Sequence, residues 1–378
     1  MKILLDASNI YSGGALQVAL TFIVGAEKLK GFEIKYILHK DLFAQISKVA
    51  TLKDYIVISD SPANSKMTRK LLLSIEESFR PDITFTVFGP TYVKYKYSPH
   101  ITGFANGWVT HSTLKDFNIV FDKNLTKIIK MLKYVYIGFY LRRADYFIFE
   151  TNIALKGAVK RLKVPRDNCF IIPNAYPVSF LNNSDSNYGE KIISSSKFKV
   201  LCLSSYYKHK NLESLPFVAN SLVELGCIDV NFILTLNEGD FIPIMEAAKV
   251  LGVDKMIINV GPQQVCNLPK LYSEVSMVYS ASNLETFSAI YLESMLAQKV
   301  LLLNDKPFAR DICGDAALYV NSFEYRAVAQ KIIKILNGVY SFCDFKVESK
   351  QLLDKYPSPT EKVEAYFDLF KKIKARIR

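Results

Sequence analysis

Ser280-Ala-Ser-Asn-Leu-Glu285-Thr-Phe-Ser-Ala-Ile-Tyr-Leu-Glu293-Ser-Met-Leu-Ala297 lies between two short apolar runs, 277–279 and 300–303. Runs of that length bounded by polar loops read as strands buried on both faces, and the apolar spacing over 287–297 reads as a helix. The same alternation continues on either side. Upstream come strand 198–203, a helix from about 211, strand 231–236, helix 242–251, strand 256–260 and a short helix 269–273; downstream comes helix 327–336. The first half begins with strand 2–5, a glycine-bearing loop 6–14, a helix from about 15 to 30, strand 33–39 and helix 43–49. Strand 55–59, helix 65–79, strand 83–88, a mainly helical stretch 115–144, strand 146–149, helix 151–162 and strand 169–173 follow. Strands alternating with helices predict an α/β chain of two doubly wound parallel sheets in tandem, each covered on both faces. The expected domains are 1–180 and 198–358, joined by an Asn- and Ser-rich connection 181–197 and followed by an amphipathic helix, 359–378, that can pack back on the first domain. Ligands of such folds sit at the carboxyl ends of the strands, here in an expected cleft between the domains.

Composition narrows the function. Of 378 residues half are hydrophobic and 22% charged, which excludes a disordered chain, and 16 Gly with 14 Pro exclude a collagen-like one. A formal charge of +12 favours anionic partners: phosphates, nucleic acid or an acidic membrane face. Six cysteines without a C-x-x-C pair read as reduced core thiols, and four histidines without ligand spacing predict no metal site. Asp6 interrupts the first apolar run too early for a signal peptide, and the apolar stretch 134–141 is far short of a membrane span. The expected location is the cytoplasm, peripheral on the inner face of the cell membrane.

Glu285 falls in the loop after a strand and Glu293 on the helix that follows. Between them the backbone N–H groups of Thr286, Phe287 and Ser288 are placed to open a helix, where free donors and the helix dipole attract phosphate. An anion hole with a carboxylate on each side suits a sugar nucleotide. The same spacing also arises when one glutamate caps a helix and the other faces solvent.

These residues resemble the E-x7-E motif of retaining GT-B glycosyltransferases, family 4 type, with its usual form S-x-x-E-G-F-G-x-x-x-x-E-A. Ser282, Glu285, Phe287 and Glu293 match, whereas Thr286, Ser288 and Ser294 replace two glycines and an alanine. The likeness in order and spacing extends over 198–322 and includes Leu268-Pro-Lys-Leu-Tyr272 and Gly314-Asp-Ala-Ala317. The resemblance implies two Rossmann-like domains facing across a cleft. It gives Glu285 the transferred sugar, Glu293 the nucleotide ribose, and the 286–288 backbone the diphosphate. It also implies a basic pair after the first strand of the second domain. Lys210-Asn211 matches the end of that motif, but Ser204 or Ser205 stands where the arginine belongs, leaving Lys208 or His209 to supply the second charge. Gly13 and Gly14, straight after the first strand, correspond to a glycine loop beside the donor diphosphate, although any tight turn can use such a pair. Relatives often carry a histidine on a first-domain loop near the reacting sugar; His100 is the first candidate and His111 the second, with an ordinary structural histidine as the alternative reading.

The implied activity is metal-independent, retaining, hexosyltransferase-like transfer without a cofactor. A nucleoside-diphosphate sugar is the donor, and the acceptor is a saccharide or lipid-linked saccharide of surface polysaccharide (O-antigen or capsule) assembly. Lys123, Lys127, Lys130 and Lys133 interleave with Ile, Leu and Tyr on a helical period, which suits contact with acceptor or anionic lipid as well as a solvated face over a core. No nucleic-acid-binding signature is present, so nucleic acid is not an expected partner. A nucleic-acid-binding protein, a GT-B-like epimerase and an inactive scaffold subunit are the competing readings.

Overall fold

The computed structural model describes residues 1–11, 13–177, 180 and 198–377. The expected connection at 181–197 therefore lies outside the described residues. The chain divides into two units, Met1–Ala175 with Pro357–Arg378, and Tyr176–Tyr356.

In the first unit, β1 (Lys2–Ala7), β2 (Glu33–His39), β3 (Tyr55–Ile58), β4 (Ile83–Thr86), β5 (His100–Phe104), β6 (Tyr146–Phe149) and β7 (Cys169–Ile171) form a seven-stranded sheet ordered β3-β2-β1-β4-β5-β6-β7. Every pairing is parallel; Ile3 lies opposite Ile34 on one side and Ile83 on the other. Strands flanked by helices on both faces are buried at nearly every position, which is why β1 carries Ile3-Leu-Leu5 in a row and β4, Ile83-Thr-Phe-Thr86, is buried throughout. Local signals set the helices between them. Ser65 caps Lys66–Phe79 by accepting from the Thr68 N–H at 3.1 Å, and Arg80 ends it in the left-handed conformation.

The helix Pro359–Ile377 completes this unit from the far end of the sequence. Val363, Phe367, Phe370 and Ile373 repeat at helical spacing and are buried with Phe22 and Phe85. Its approach depends on Gly25, where an added Cβ would stand 2.8 Å from Cγ2 of Val363.

The second unit repeats the plan. The strands β8 (Phe198–Cys202), β9 (Val230–Leu234), β10 (Ile257–Asn259), β11 (Met277–Ser280), β12 (Val300–Asn304) and β13 (Leu318–Val320) form a parallel sheet ordered β10-β9-β8-β11-β12-β13. Both sheets thus reverse direction beside their first strand, at β1/β4 and at β8/β11, and a reversal leaves a crevice at the carboxyl ends.

The expected pair of doubly wound parallel sheets is present, with local corrections. The stretch 100–104, read as loop, is the buried central strand β5. Its His, Thr and Gly hide the apolar signal, and Gly103 is required because a Cβ there would run into the carbonyl oxygen of Val87. The helical stretch 115–144 divides into Leu114–Val120 and Asn124–Leu141. Helices Pro307–Cys313 and Phe342–Leu353 and strand β13 lie where no element was expected. Among the cysteines, Cys169, Cys202 and Cys313 are buried thiols, whereas Cys266 is exposed.

Candidate active site

Two loops meet at the reversal point of the second sheet. One leaves β8 and passes through two tight turns, Lys208–Lys210 and Leu212–Ser214; the other leaves β11 and leads to the helix Ala289–Leu296. The Asn283 N–H donates to the His209 carbonyl at 2.7 Å, tying them together. Across that junction the Lys210 ammonium donates to Oε1 of Glu285, which also accepts from the Ser282 hydroxyl at 2.9 Å. Both side chains of the ion pair are largely withdrawn from solvent, Lys210 at 18% and Glu285 at 10% exposure. A charge pair so placed is only weakly screened by water and salt.

Glu293 sits in a different environment. The helix turns it inward, where Oε2 accepts from the Tyr272 hydroxyl at 3.0 Å. The solvent-facing alternative is excluded, since the residue is 5% exposed. Burial raises its carboxyl to about 7, against the opposing effect of the Tyr272 hydrogen bond. Glu293 therefore exchanges its proton close to neutrality and can offer either a donor or an acceptor.

The helix starts later than expected. Ser288 is its N-cap, so the first-turn amides begin at Ala289, while Thr286 and Phe287 belong to the loop. Lys208 is more exposed and pairs with Glu213 at 3.4 Å. Asn211 takes the left-handed conformation at φ 56° and donates to the Ser322 hydroxyl at 3.2 Å. Ser205 is exposed and borders a hollow of about 280 Å³ at the ends of β8 and β9, together with Thr235 and Asp240. His209 is pushed down to about 4, chiefly by burial, which removes it as a second positive charge at neutral pH.

One brace was not anticipated. Asn304, the last residue of β12, donates to the Ser282 carbonyl at 3.1 Å and to Oδ1 of Asn283 at 3.0 Å, and accepts from the Ser322 N–H at 3.1 Å. A polar residue closing an otherwise apolar strand was the available signal.

In the first unit the reversal point is built from the loops after β1 and β4. The Asn9 side-chain amide donates to the Pro90 carbonyl, and its carbonyl accepts from the Ser61 hydroxyl at 2.6 Å. Gly13 adopts φ 70°, which favours glycine, and opens the helix Gly13–Ala26. A Cβ on Gly14 would meet no atom within 4 Å, so packing inside the protein does not explain that glycine.

His100 lies on a strand rather than on a loop. It is the first residue of β5, at the amino end of the strand, roughly 13 Å of strand from the carboxyl end. Its Nε2 lies 2.8 Å from the Thr86 hydroxyl, and burial alone lowers its pKa to about 3, which leaves the ring neutral at ordinary pH. His111 closes the short helix Gly107–Thr110, with Nδ1 2.8 Å from the Thr110 hydroxyl.

The helix Asn124–Leu141 carries an exposed apolar stripe along one side; Lys123 is its N-cap, Lys133 is exposed, and Lys127 and Lys130 are half-buried towards the other side. Leu125, Ile128, Leu132, Val135 and Phe139 are all more than half exposed, with Val135 reaching 70%. Lys127 donates to Asn118 Oδ1 at 2.6 Å; Lys123, Lys130 and Lys133 have no ion-pair partner among the described residues. No helix among the described residues is long and apolar enough to cross a membrane.

No protein-family model matches the sequence, and no curated protein matches it. Solved structures do match along nearly the whole chain. A glycosyltransferase from Rickettsia africae is 16% identical with a TM-score of 0.75, covering 98% of each chain. HepE of Anabaena, solved in complex with UDP-glucose, is 12% identical with a TM-score of 0.72, covering 98% of this chain and 100% of that one. A trehalose-6-phosphate synthase studied for glycosyl transfer with retention is 12% identical with a TM-score of 0.70, covering 98% and 99%. The two parallel α/β units therefore have the architecture of GT-B glycosyltransferase structures.

Proposed function

We propose that the protein is a retaining glycosyltransferase of the family 4 type that moves a sugar from a nucleoside-diphosphate sugar to a hydroxyl of a lipid-linked saccharide in surface polysaccharide assembly. The observation that carries the reading is the Lys210–Glu285 ion pair at the β8/β11 reversal, braced by Ser282. It sets a cation for a leaving diphosphate beside a carboxylate for sugar hydroxyls, at the place where open α/β sheets bind ligands.

In this reading the donor lies on the second unit. Lys210 and the first-turn amides of Ala289–Leu296 take the negative charge that grows as the glycosidic C–O bond to the diphosphate breaks. Lys208, released from Glu213, adds a second positive charge in place of the missing arginine. Glu285 holds hydroxyls of the transferred sugar, and Glu293 holds the ribose. The acceptor oxygen bonds to the anomeric carbon on the face the diphosphate leaves, and its proton passes to the departing phosphate oxygen. Configuration is retained without a protein nucleophile. Gly13 and Gly14 let backbone approach the substrates, which gives the open space at Gly14 a use. The apolar stripe with its lysines holds the enzyme on an anionic membrane, where a lipid-linked acceptor resides.

The deciding experiment is a thermal-shift panel of sugar nucleotides on the full chain, followed by NMR of the product from the one that binds. A raised melting temperature and a product of unchanged anomeric configuration are expected. No stabilisation by any sugar nucleotide, or an inverted product, overturns the reading.

A further inference from the structure

The first unit contains a cavity of about 640 Å³ that donor chemistry does not use. It lies among the helices Gly107–Thr110, Leu114–Val120, Asn124–Leu141 and Asn152–Leu162. Trp108 and Tyr134 stack in its wall with centroids 5.4 Å apart, and Phe117 meets Trp108 edge-on at 4.9 Å. Met131 and Leu162 extend the apolar lining. Val135 and Phe139 belong both to this lining and to the exposed stripe, so the cavity opens onto that apolar face.

The charged side chains in its lining are both cationic, Arg142 and Arg161. The Asp116 carboxylate, outside the lining, acts on Arg161, so Arg142 is the less compensated of the two. Arg161 is held in place by donating to the Ser112 carbonyl, whereas Arg142 is exposed and has no ion-pair partner among the described residues. A saccharide on these aromatic walls would leave most of its hydroxyls unpaired, at a penalty for each. A hydrocarbon chain leaves none, and an anionic head matches the two guanidinium groups. The volume lies within the roughly 300–1,000 Å³ of small-ligand sites.

We propose that this cavity holds the hydrocarbon chain of the phosphate-headed lipid that carries the acceptor, with Arg142 and Arg161 at its phosphate. The inference rests on the reading of a lipid-linked acceptor and adds where the carrier is gripped: one chain leaves the bilayer plane and threads between the helices, rather than the protein merely resting on lipid.

Trp108 is the single tryptophan of the chain and stands in the cavity wall, so its fluorescence reports occupancy. The full chain is titrated with bromododecyl phosphate below its micelle concentration, bromine being a contact quencher. Saturable quenching, competed by dodecyl phosphate, is expected. Met131→Phe, which adds a ring to the lining, should weaken the apparent affinity by about tenfold, and Arg142→Gln should cut the preference for dodecyl phosphate over dodecanol by about tenfold. Binding of Met131→Phe to anionic vesicles should stay at the wild-type level, because Met131 is not one of the exposed stripe residues. Arg142 is exposed, so that variant keeps the test valid if the Met131 change disturbs folding. Quenching that rises linearly without saturation, or is unchanged in both variants, overturns the proposal. A dimer in solution that dodecyl phosphate fails to dissociate assigns the face to a second copy and also overturns it. None of these measurements uses a sugar nucleotide, so saturable quenching without any sugar-nucleotide stabilisation removes the transferase reading alone, and the converse removes the cavity alone.

Discussion

Lys210 and Glu285 are 75 residues apart in sequence and form an ion pair at the junction of β8 and β11. Neither charge is strongly hydrated, so each depends on the other when no substrate is bound. In the proposed reading, a diphosphate arriving at Lys210 competes with Glu285 for the ammonium and frees the carboxylate for sugar hydroxyls. Glu285→Gln should therefore abolish transfer while keeping the fold at lowered stability, and Lys210→Ala should lower kcat by roughly 10²–10³-fold. In a double-mutant cycle on stability the two changes should be non-additive by about 0.5–3 kcal/mol. Wild-type turnover in Glu285→Gln, or strict additivity in the cycle, removes the pair from the mechanism.

Glu293 gives a pH signature. Its folded pKa of about 7 lies above the ordinary value of 4.5, so the folded protein holds a proton that the unfolded chain has lost in between. The stability associated with that proton is fully present below 4.5 and is lost as pH rises through about 7. Glu293→Gln should abolish this decline, a difference on the order of 3 kcal/mol between the ends of the window. Denaturant melts of both proteins at several pH values read it directly; parallel curves would place the carboxyl at an ordinary pKa.

Gly14 separates packing from function. Because an added Cβ meets nothing, Gly14→Ala at the start of a helix should leave stability unchanged or raise it by about 0.4–1 kcal/mol. Transfer should nonetheless slow, with a raised KM for whichever substrate approaches that backbone. Unaltered kinetics would show that nothing comes close to residue 14.

The membrane reading is tested by charge. Each lysine near an anionic surface contributes about 1 kcal/mol, so Lys130→Gln with Lys133→Gln should weaken binding to phosphatidylserine vesicles by roughly thirtyfold. Neutral vesicles should show almost no difference. Equal loss on both, or no loss on either, would leave the lysines as ordinary solvated side chains.

Much of the architecture could be read from residues alone because parallel strands buried on both faces are unbroken apolar runs. Val300-Leu-Leu-Leu303 and Phe232-Ile-Leu234 announce themselves in this way. β5 does not, since its His100, Thr102 and Gly103 satisfy sheet packing and backbone approach rather than hydrophobicity. Glu285 and Lys210 were legible as residue types at a suggestive spacing, but their pairing depends on strand order, which a linear pattern does not contain. His100 misled for the same reason: whether a histidine stands at the amino or carboxyl end of a strand decides whether it can reach a ligand. Asn304 was overlooked because its partners on the loop after β11 lie about twenty residues away.

The helix Pro359–Ile377 also bears on how the protein is made. Its side chains fill the core around Phe22 and Phe85, so the 1–175 part of this unit waits for residues made about two hundred positions later. On a ribosome the second unit can close its own sheet while the opening unit still exposes the apolar floor meant for Phe367 and Phe370. That interval invites chaperone capture of the nascent amino-terminal half, and a stop codon before residue 359 should yield an aggregating product rather than a shortened folded chain.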